Sequence, residues 1–173
     1  MKLLPIAFAA AAFAAAPASA ANYVLTYTGN GTTPTTANLF ITTSDVLNGA
    51  GGYNVLSVAG NVNADTVTGI APINPPGFST DNVFFSANPV FNVSGLGFLS
   101  ATATYNLWGT GPGAYTLYGT TNGGVDGYFL RTAGQLTVQA VPEASTWALM
   151  IMGFGLMGLA MRRRSQKVSV TYA

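Results

Sequence analysis

The sequence predicts an all-β domain, a small antiparallel sandwich or roll, set between an N-terminal signal helix and a C-terminal transmembrane helix. Three observations carry that expectation. From Asn22 to Ala140 no stretch sustains the i, i+3, i+4, i+7 spacing of an amphipathic helix, whereas short runs of alternating character recur. Turn-forming clusters separate those runs: Gly29-Asn30-Gly31, Gly51-Gly52, Pro75-Pro76-Gly77, Gly111-Pro112-Gly113 and Asn122-Gly123-Gly124. Each end of the chain is an apolar run with basic residues on its flank.

The expected strands follow in order. Tyr23–Tyr27 alternates Tyr23, Leu25 and Tyr27 with Val24 and Thr26, the pattern of a sheet with one wet face. Ala37–Thr42 and Tyr53–Val62 come next, then Thr66–Thr68. Between Ala71 and Val93 proline is frequent and periodicity weak, which predicts a long loop with a short strand near Val83. Gly97–Leu99, Thr104–Trp108, Tyr115–Tyr118, Tyr128–Leu130 and Gln135–Val138 complete the set. Short strands at this spacing belong to antiparallel sandwiches and related all-β folds. No fixed-period repeat is present, which argues against a solenoid.

The N-terminus places Lys2 before an apolar run from Leu3 to Ala16, then Pro17 and Ala18-Ser19-Ala20. A positive start, a short apolar core and small residues at an A-x-A site make a secretory signal peptide, with cleavage expected between Ala20 and Ala21. At the other end, Trp147 to Met161 carries no charge and is followed by Arg162-Arg163-Arg164. At about 1.5 Å per residue that run is about 22 Å long, so it needs Ala144, Ser145 and Thr146 and snorkelling arginines to approach the roughly 30 Å hydrocarbon core. Trp147 suits an interfacial position, and the arginines belong on the cytoplasmic side. The expected organisation is a signal peptide over 1–20, an exported β domain over 21–140, a sorting signal with its helix over 141–164, and a cytoplasmic tail over 165–173.

Composition excludes several kinds of function. The chain holds six Lys plus Arg and five Asp plus Glu, and neither histidine nor cysteine. Within the middle region Arg131 stands alone against Asp45, Asp65, Asp81 and Asp126. One basic residue cannot support nucleic-acid binding. Thiolate chemistry is absent, and without histidine the commonest general base and transition-metal ligand are missing. Asp65 and Asp81-Asn82 sit in Asx-rich turns that lack the carboxylate set of a calcium loop, so turn chemistry is expected of them and no metal or cofactor is assigned. There is no G-x-S-x-G elbow and no facing carboxylate pair in sequence, and no enzyme activity is expected. Gly153-Phe154-Gly155-Leu156-Met157-Gly158 fits G-x-G-x-x-G but lacks the strand–turn–helix setting that gives the motif meaning.

The tail, with Pro142-Glu143, Trp147-Ala148, a glycine-interrupted apolar stretch and Arg162 to Arg164, resembles the PEP-CTERM sorting domain. It is most similar to the PEPxxWA variant, a motif also known as the ice-binding protein C-terminal domain. The resemblance implies that Pro142 and Glu143 are read by an exosortase, a membrane-embedded cysteine peptidase or transpeptidase. It further implies that Trp147 is the aromatic position and that the arginines stop transfer. Ala144 replaces the usual second proline, and nine residues, Ser165–Ala173, extend past the arginines.

The resulting expectation is a non-enzymatic cell-envelope or extracellular-matrix protein. It would pass the Sec translocon, rest in the inner membrane with its domain outside the cytoplasm, and reach the cell surface. The alternative is a carbohydrate-binding module whose Trp108, Tyr105 and Tyr115 would contact an exopolysaccharide; sheet core is the commoner fate of such rings. Ice binding ranks third: Thr32-Thr33-Pro34-Thr35-Thr36 is threonine-rich but lacks a Thr-x-Thr ladder.

Overall fold

The computed structural model describes residues 20–32, 34–122, 127–142 and 144–164. The expected signal peptide, except Ala20, and the tail beyond Arg164 lie outside them. Among the described residues nine strands form in chain order: β1 (Asn22–Gly29), β2 (Thr36–Leu47), β3 (Tyr53–Val62), β4 (Asp65–Ile70), β5 (Val83–Phe84), β6 (Leu96–Ser100), β7 (Ala103–Gly111), β8 (Ala114–Thr121) and β9 (Tyr128–Val141). One helix follows, α1 (Ala144–Arg164).

All pairings are antiparallel. The neighbours run β2-β1-β9-β8-β7-β6-β4-β3, and β3 pairs back onto β2. Eight strands therefore close into a meander barrel, with β5 added beside the start of β3 through Tyr53↔Phe84 and Asn54↔Val83. This corrects the sandwich expectation. Alternation buries one face of a strand in either architecture; what separates them is whether the first strand bonds the last. Here Asn22 to Gly29 pair with Val141 to Gly134 along the whole of β1, so both edges that a sandwich would leave open are satisfied.

A barrel of eight strands is narrow enough for its own side chains to fill. Alternate residues do so: Leu25 and Tyr27 from β1, Leu39 and Ile41 from β2, Leu96 and Phe98 from β6, Leu107 from β7 and Leu117 from β8 are all buried. Tyr27 illustrates how the sequence makes room. Its hydroxyl donates to the Thr132 carbonyl across the interior, and its ring lies where a side chain at Gly134 would project, with ring atoms 2.7 Å from an ideal Cβ there. Glycine at 134 is what lets β9 pass beneath that ring.

The expected strands Tyr128–Leu130 and Gln135–Val138 are one continuous strand, β9. The segment between them has weak strand character in isolation. Pairing on both sides holds it extended, with β8 taking Tyr128 to Gly134 and β1 taking Gly134 to Val141. The long Ala71–Val93 connection with a short strand at Val83 forms as read, and a buried Asn82 pins it to the barrel. Asn82 donates from Nδ2 to the Ala71 carbonyl at 2.9 Å and accepts the Gly97 amide at Oδ1 at 2.7 Å. Its backbone adopts φ 53°, a left-handed conformation asparagine tolerates.

Candidate functional site

Strand parity on β7 divides its aromatic and polar residues between two surfaces. Tyr105 and Leu107 point into the barrel, while Asn106 and Trp108 point outward. Register then builds the outer surface across three strands, because Asn106 lies opposite Tyr118 on β8 and Tyr118 lies opposite Arg131 on β9. Over this row runs the 71–82 segment. It is anchored by Asn82 at one end and by Asn106, whose Nδ2 donates to the Ser79 carbonyl at 3.4 Å and to the Ser94 carbonyl at 3.0 Å.

The result is a groove of about 300 Å³. Its floor is Asn106, Trp108, Tyr118 and Arg131, and its rim is Gly77, Phe78, Ser79, Val93 and Tyr128. The rings meet closely. Tyr118 stands edge-on to Trp108 at 5.0 Å and to Tyr128 at 5.1 Å, and Phe78 stacks on Tyr128 at 5.4 Å. The Tyr128 hydroxyl donates to the Gly77 carbonyl at 2.9 Å and so ties strand β9 to the overlying segment. The Arg131 guanidinium carbon lies 5.6 Å from the centre of the Tyr118 ring, a cation–π distance.

Two polar atoms in this lining are buried without a hydrogen-bond partner, Asn106 Oδ1 and Trp108 Nε1. Leaving a buried donor or acceptor unpaired costs about 1–3 kcal/mol. Both atoms belong to residues that line this groove.

Of the three rings expected to touch a glycan, only Trp108 is on the groove. Tyr105 and Tyr115 are each 3% exposed and face the interior, so the expected contacts at those two positions are withdrawn. Tyr105 stacks on Phe98 at 5.4 Å and donates its hydroxyl to Asp65 Oδ2 at 2.7 Å. Burial, with the Asp65 carboxylate beside it, raises the Tyr105 pKa well above the ordinary tyrosine value. Tyr27 is likewise pushed up to about 12, chiefly by burial. Tyr115 accepts the Val90 amide at 2.9 Å and donates to Asn88 Oδ1 at 3.1 Å, fastening the segment before β6. Parity alone separates these rings, since Tyr105 shares the face of Leu107 whereas Trp108 does not. Phe78, Asn106 and Arg131 were not singled out as contacts in the sequence. Only Arg131 carried a signal, as the one basic residue of the middle region.

Two aspartates, Asp65 and Asp81, serve structure. Asp65 accepts from Tyr105, and Asp81 accepts the Val83 amide at 3.2 Å and Asn92 Nδ2 at 2.6 Å. No group of three or more potential metal ligands occurs among the described residues. A second depression of about 300 Å³, lined by Ile70, Pro72, Ile73 and Asp81, has its one carboxylate already engaged in those bonds.

The first and last residues of the barrel segment lie side by side. The Ala21 carbonyl accepts the Thr43 amide at 2.9 Å, and Asn22 pairs with Val141, so the expected cleavage point at Ala20–Ala21 lies beside the start of the tail. Pro142 is exposed, Glu143 and Ala18 lie outside the described residues, and α1 begins at Ala144. Trp147, Leu149, Met150, Ile151, Phe154 and Leu156 on α1 are all substantially exposed, as is Arg162, and α1 continues through Arg163 and Arg164. The helix thus forms where a transmembrane segment was expected. No helix among the described residues is long and apolar enough to cross a membrane, which leaves that expectation unsupported. The part of α1 free of both charged and hydroxyl residues, Trp147 to Met161, is shorter than a bilayer core requires.

Comparison with known proteins places this tail in a defined class. A family model described as the PEP-CTERM protein-sorting motif matches residues 140–164. The motif, in agreement with the resemblance read from Pro142, Glu143, Trp147 and the arginines, is that of proteins sorted by exosortase. No curated protein and no solved structure matches the chain.

Proposed function

We propose that this chain is a non-enzymatic cell-envelope or extracellular-matrix protein: a β-barrel exported through the Sec translocon and handed to an exosortase by its C-terminal segment. The observation that carries the reading is the coincidence of the matched motif with the barrel's boundary. The match begins at residue 140, inside β9, and covers Pro142 and α1 to its end. Cutting after Val141 would leave every β1–β9 pair in place, because the pairing stops at Asn22↔Val141. In this reading α1 inserts transiently in the inner membrane, with Arg162 to Arg164 on the cytoplasmic side and the barrel outside. The test is the mass of the mature chain from cells with and without exosortase. A C-terminus between Val141 and Ala144 only when exosortase is present is the expected result; a chain running intact to Ala173 in both would overturn processing.

The second reading, carbohydrate binding, is favoured by one feature, the groove holding Trp108, Tyr118, Tyr128 and Phe78 with unpaired polar atoms in its lining. Aromatic rings stack on the C–H faces of sugars, and amide and indole groups pair with their hydroxyls. Loss of polysaccharide binding in the Trp108→Ala chain, with the fold retained, is expected; unchanged binding would remove this reading.

A further inference from the structure

We infer that the outer-face groove takes an acidic sugar residue of a polysaccharide, with Arg131 pairing its carboxylate; the inference rests on the carbohydrate reading and adds the charge of the ligand. Arg131 is the only Lys or Arg between Lys2 and Arg162. The fold places that single cation in the lining of the groove, in register with Tyr118 and Asn106. It is exposed, and no described carboxylate pairs with it: Asp65 is bonded to Tyr105 and Asp81 to Asn92. Its guanidinium is steadied over the Tyr118 ring, an arrangement that leaves the N–H edge of the plane for a forked contact with a carboxylate.

The rest of the lining fits a hydroxylated ring. Three adjacent strands span about 10 Å from Asn106 to Arg131, comparable to one sugar residue with its substituents. Trp108 Nε1 is a buried donor without an acceptor in this lining, whereas Asn106 Oδ1 is packed against Gly95, where an ideal Cβ would lie 2.5 Å from it. A sugar hydroxyl accepts as well as donates, so it can pair with the indole donor. Each atom is closed off from solvent, and the exposed Tyr128 ring is tied across the groove by its bond to Gly77. Entry of the sugar therefore accompanies release of that bond. A phosphate-rich ligand would need more than one cation, whereas a single arginine matches a monoanionic carboxylate.

The test uses the full chain in mild detergent, titrated calorimetrically with oligogalacturonate and with the same oligomer after carboxyl reduction. The expected results are affinity about tenfold lower for the reduced oligomer, the same loss for oligogalacturonate in Arg131→Gln, and no change for the reduced oligomer in that variant. Binding of oligogalacturonate should also weaken at high salt. Trp108→Phe, which keeps a ring but removes the unpaired donor, should weaken both ligands alike. Equal affinity for both oligomers, unaffected by Arg131→Gln, overturns the acidic assignment and leaves the carbohydrate reading standing. Binding of neither oligomer by the unaltered, folded chain overturns both.

Discussion

The barrel and the helix that follows it are both rich in large apolar side chains and use them in opposite ways. In the barrel, Leu25, Leu39, Leu107 and Leu117 are at most 2% exposed. In α1, Leu149, Leu156 and Leu159 remain between 48% and 60% exposed. Enclosing a leucine is worth about 1.5–3 kcal/mol, so the first group holds the domain together while the second contributes almost nothing to it. The cause is periodicity. Apolar residues at alternate strand positions gather on one side of a sheet that can curl around them. Those in α1 occupy every face of the helix, and no single surface of the barrel can cover them all. The contrast separates a region that buries its own apolar side chains from one whose apolar side chains stay exposed among the described residues.

The comparison breaks most sharply at matched leucines. Leu107→Ala should cost about 2–5 kcal/mol through lost burial and a residual cavity. Leu156→Ala should change stability by no more than about 0.5 kcal/mol. Urea unfolding of the two chains, followed by tryptophan fluorescence, measures the difference, and similar losses would mean that α1 packs on the barrel after all.

A smaller effect is expected at the pin of the long connection. Asn82→Ala leaves the Gly97 amide and the Ala71 carbonyl without their partner and puts alanine at φ 53°. The expected loss is about 2–3 kcal/mol, with faster hydrogen exchange at Gly97; an unchanged exchange rate there would count against the pin.

Alkaline pH should weaken the barrel further. Tyr27 and Tyr105 both titrate higher when folded than when unfolded. Their contribution is therefore complete below the unfolded tyrosine value near 10 and is lost as pH rises from there through the folded values. Urea midpoints measured from pH 8 upward should fall beyond about pH 10, and less steeply in Tyr27→Phe. A midpoint that stays level through this range would argue that the buried hydroxyls carry no such linkage.

The smallest effect expected is that of removing α1. A chain ending at Val141 keeps all β1–β9 pairs and should unfold within about 0.5 kcal/mol of the full chain. A markedly lower midpoint would contradict the division between the two regions.

Much of this division is legible in the sequence. The alternation in Tyr23–Tyr27 marked a strand with one wet face, on which Leu25 and Tyr27 are the buried members, and the proline-rich stretch from Ala71 foretold the long connection around Val83. The matched sorting motif coincides with the residues that first suggested it. Other features were not readable. Trp108, Tyr105 and Tyr115 look alike as aromatic strand residues, and only the face on which each lies tells a ligand platform from core packing. Phe78 came from a loop, where no periodicity announces which surface it will cover. The fusion of two expected strands into β9 depended on having β1 and β8 on either side.

The sequence by itself determined the strand character of the middle region, its scarcity of charge, and the sorting segment with its ordered Pro142-Glu143, Trp147 and arginines. These are local patterns, legible because alternation and unbroken apolar runs need no knowledge of what they pack against. Tertiary structure alone decided that β1 would bond β9 and close a barrel, and that Arg131, Tyr118 and Asn106 would fall in one row. Both rest on backbone hydrogen bonds between distant segments. Such bonds are the same whatever the side chains, so the sequence carries no direct mark of which strand will meet which.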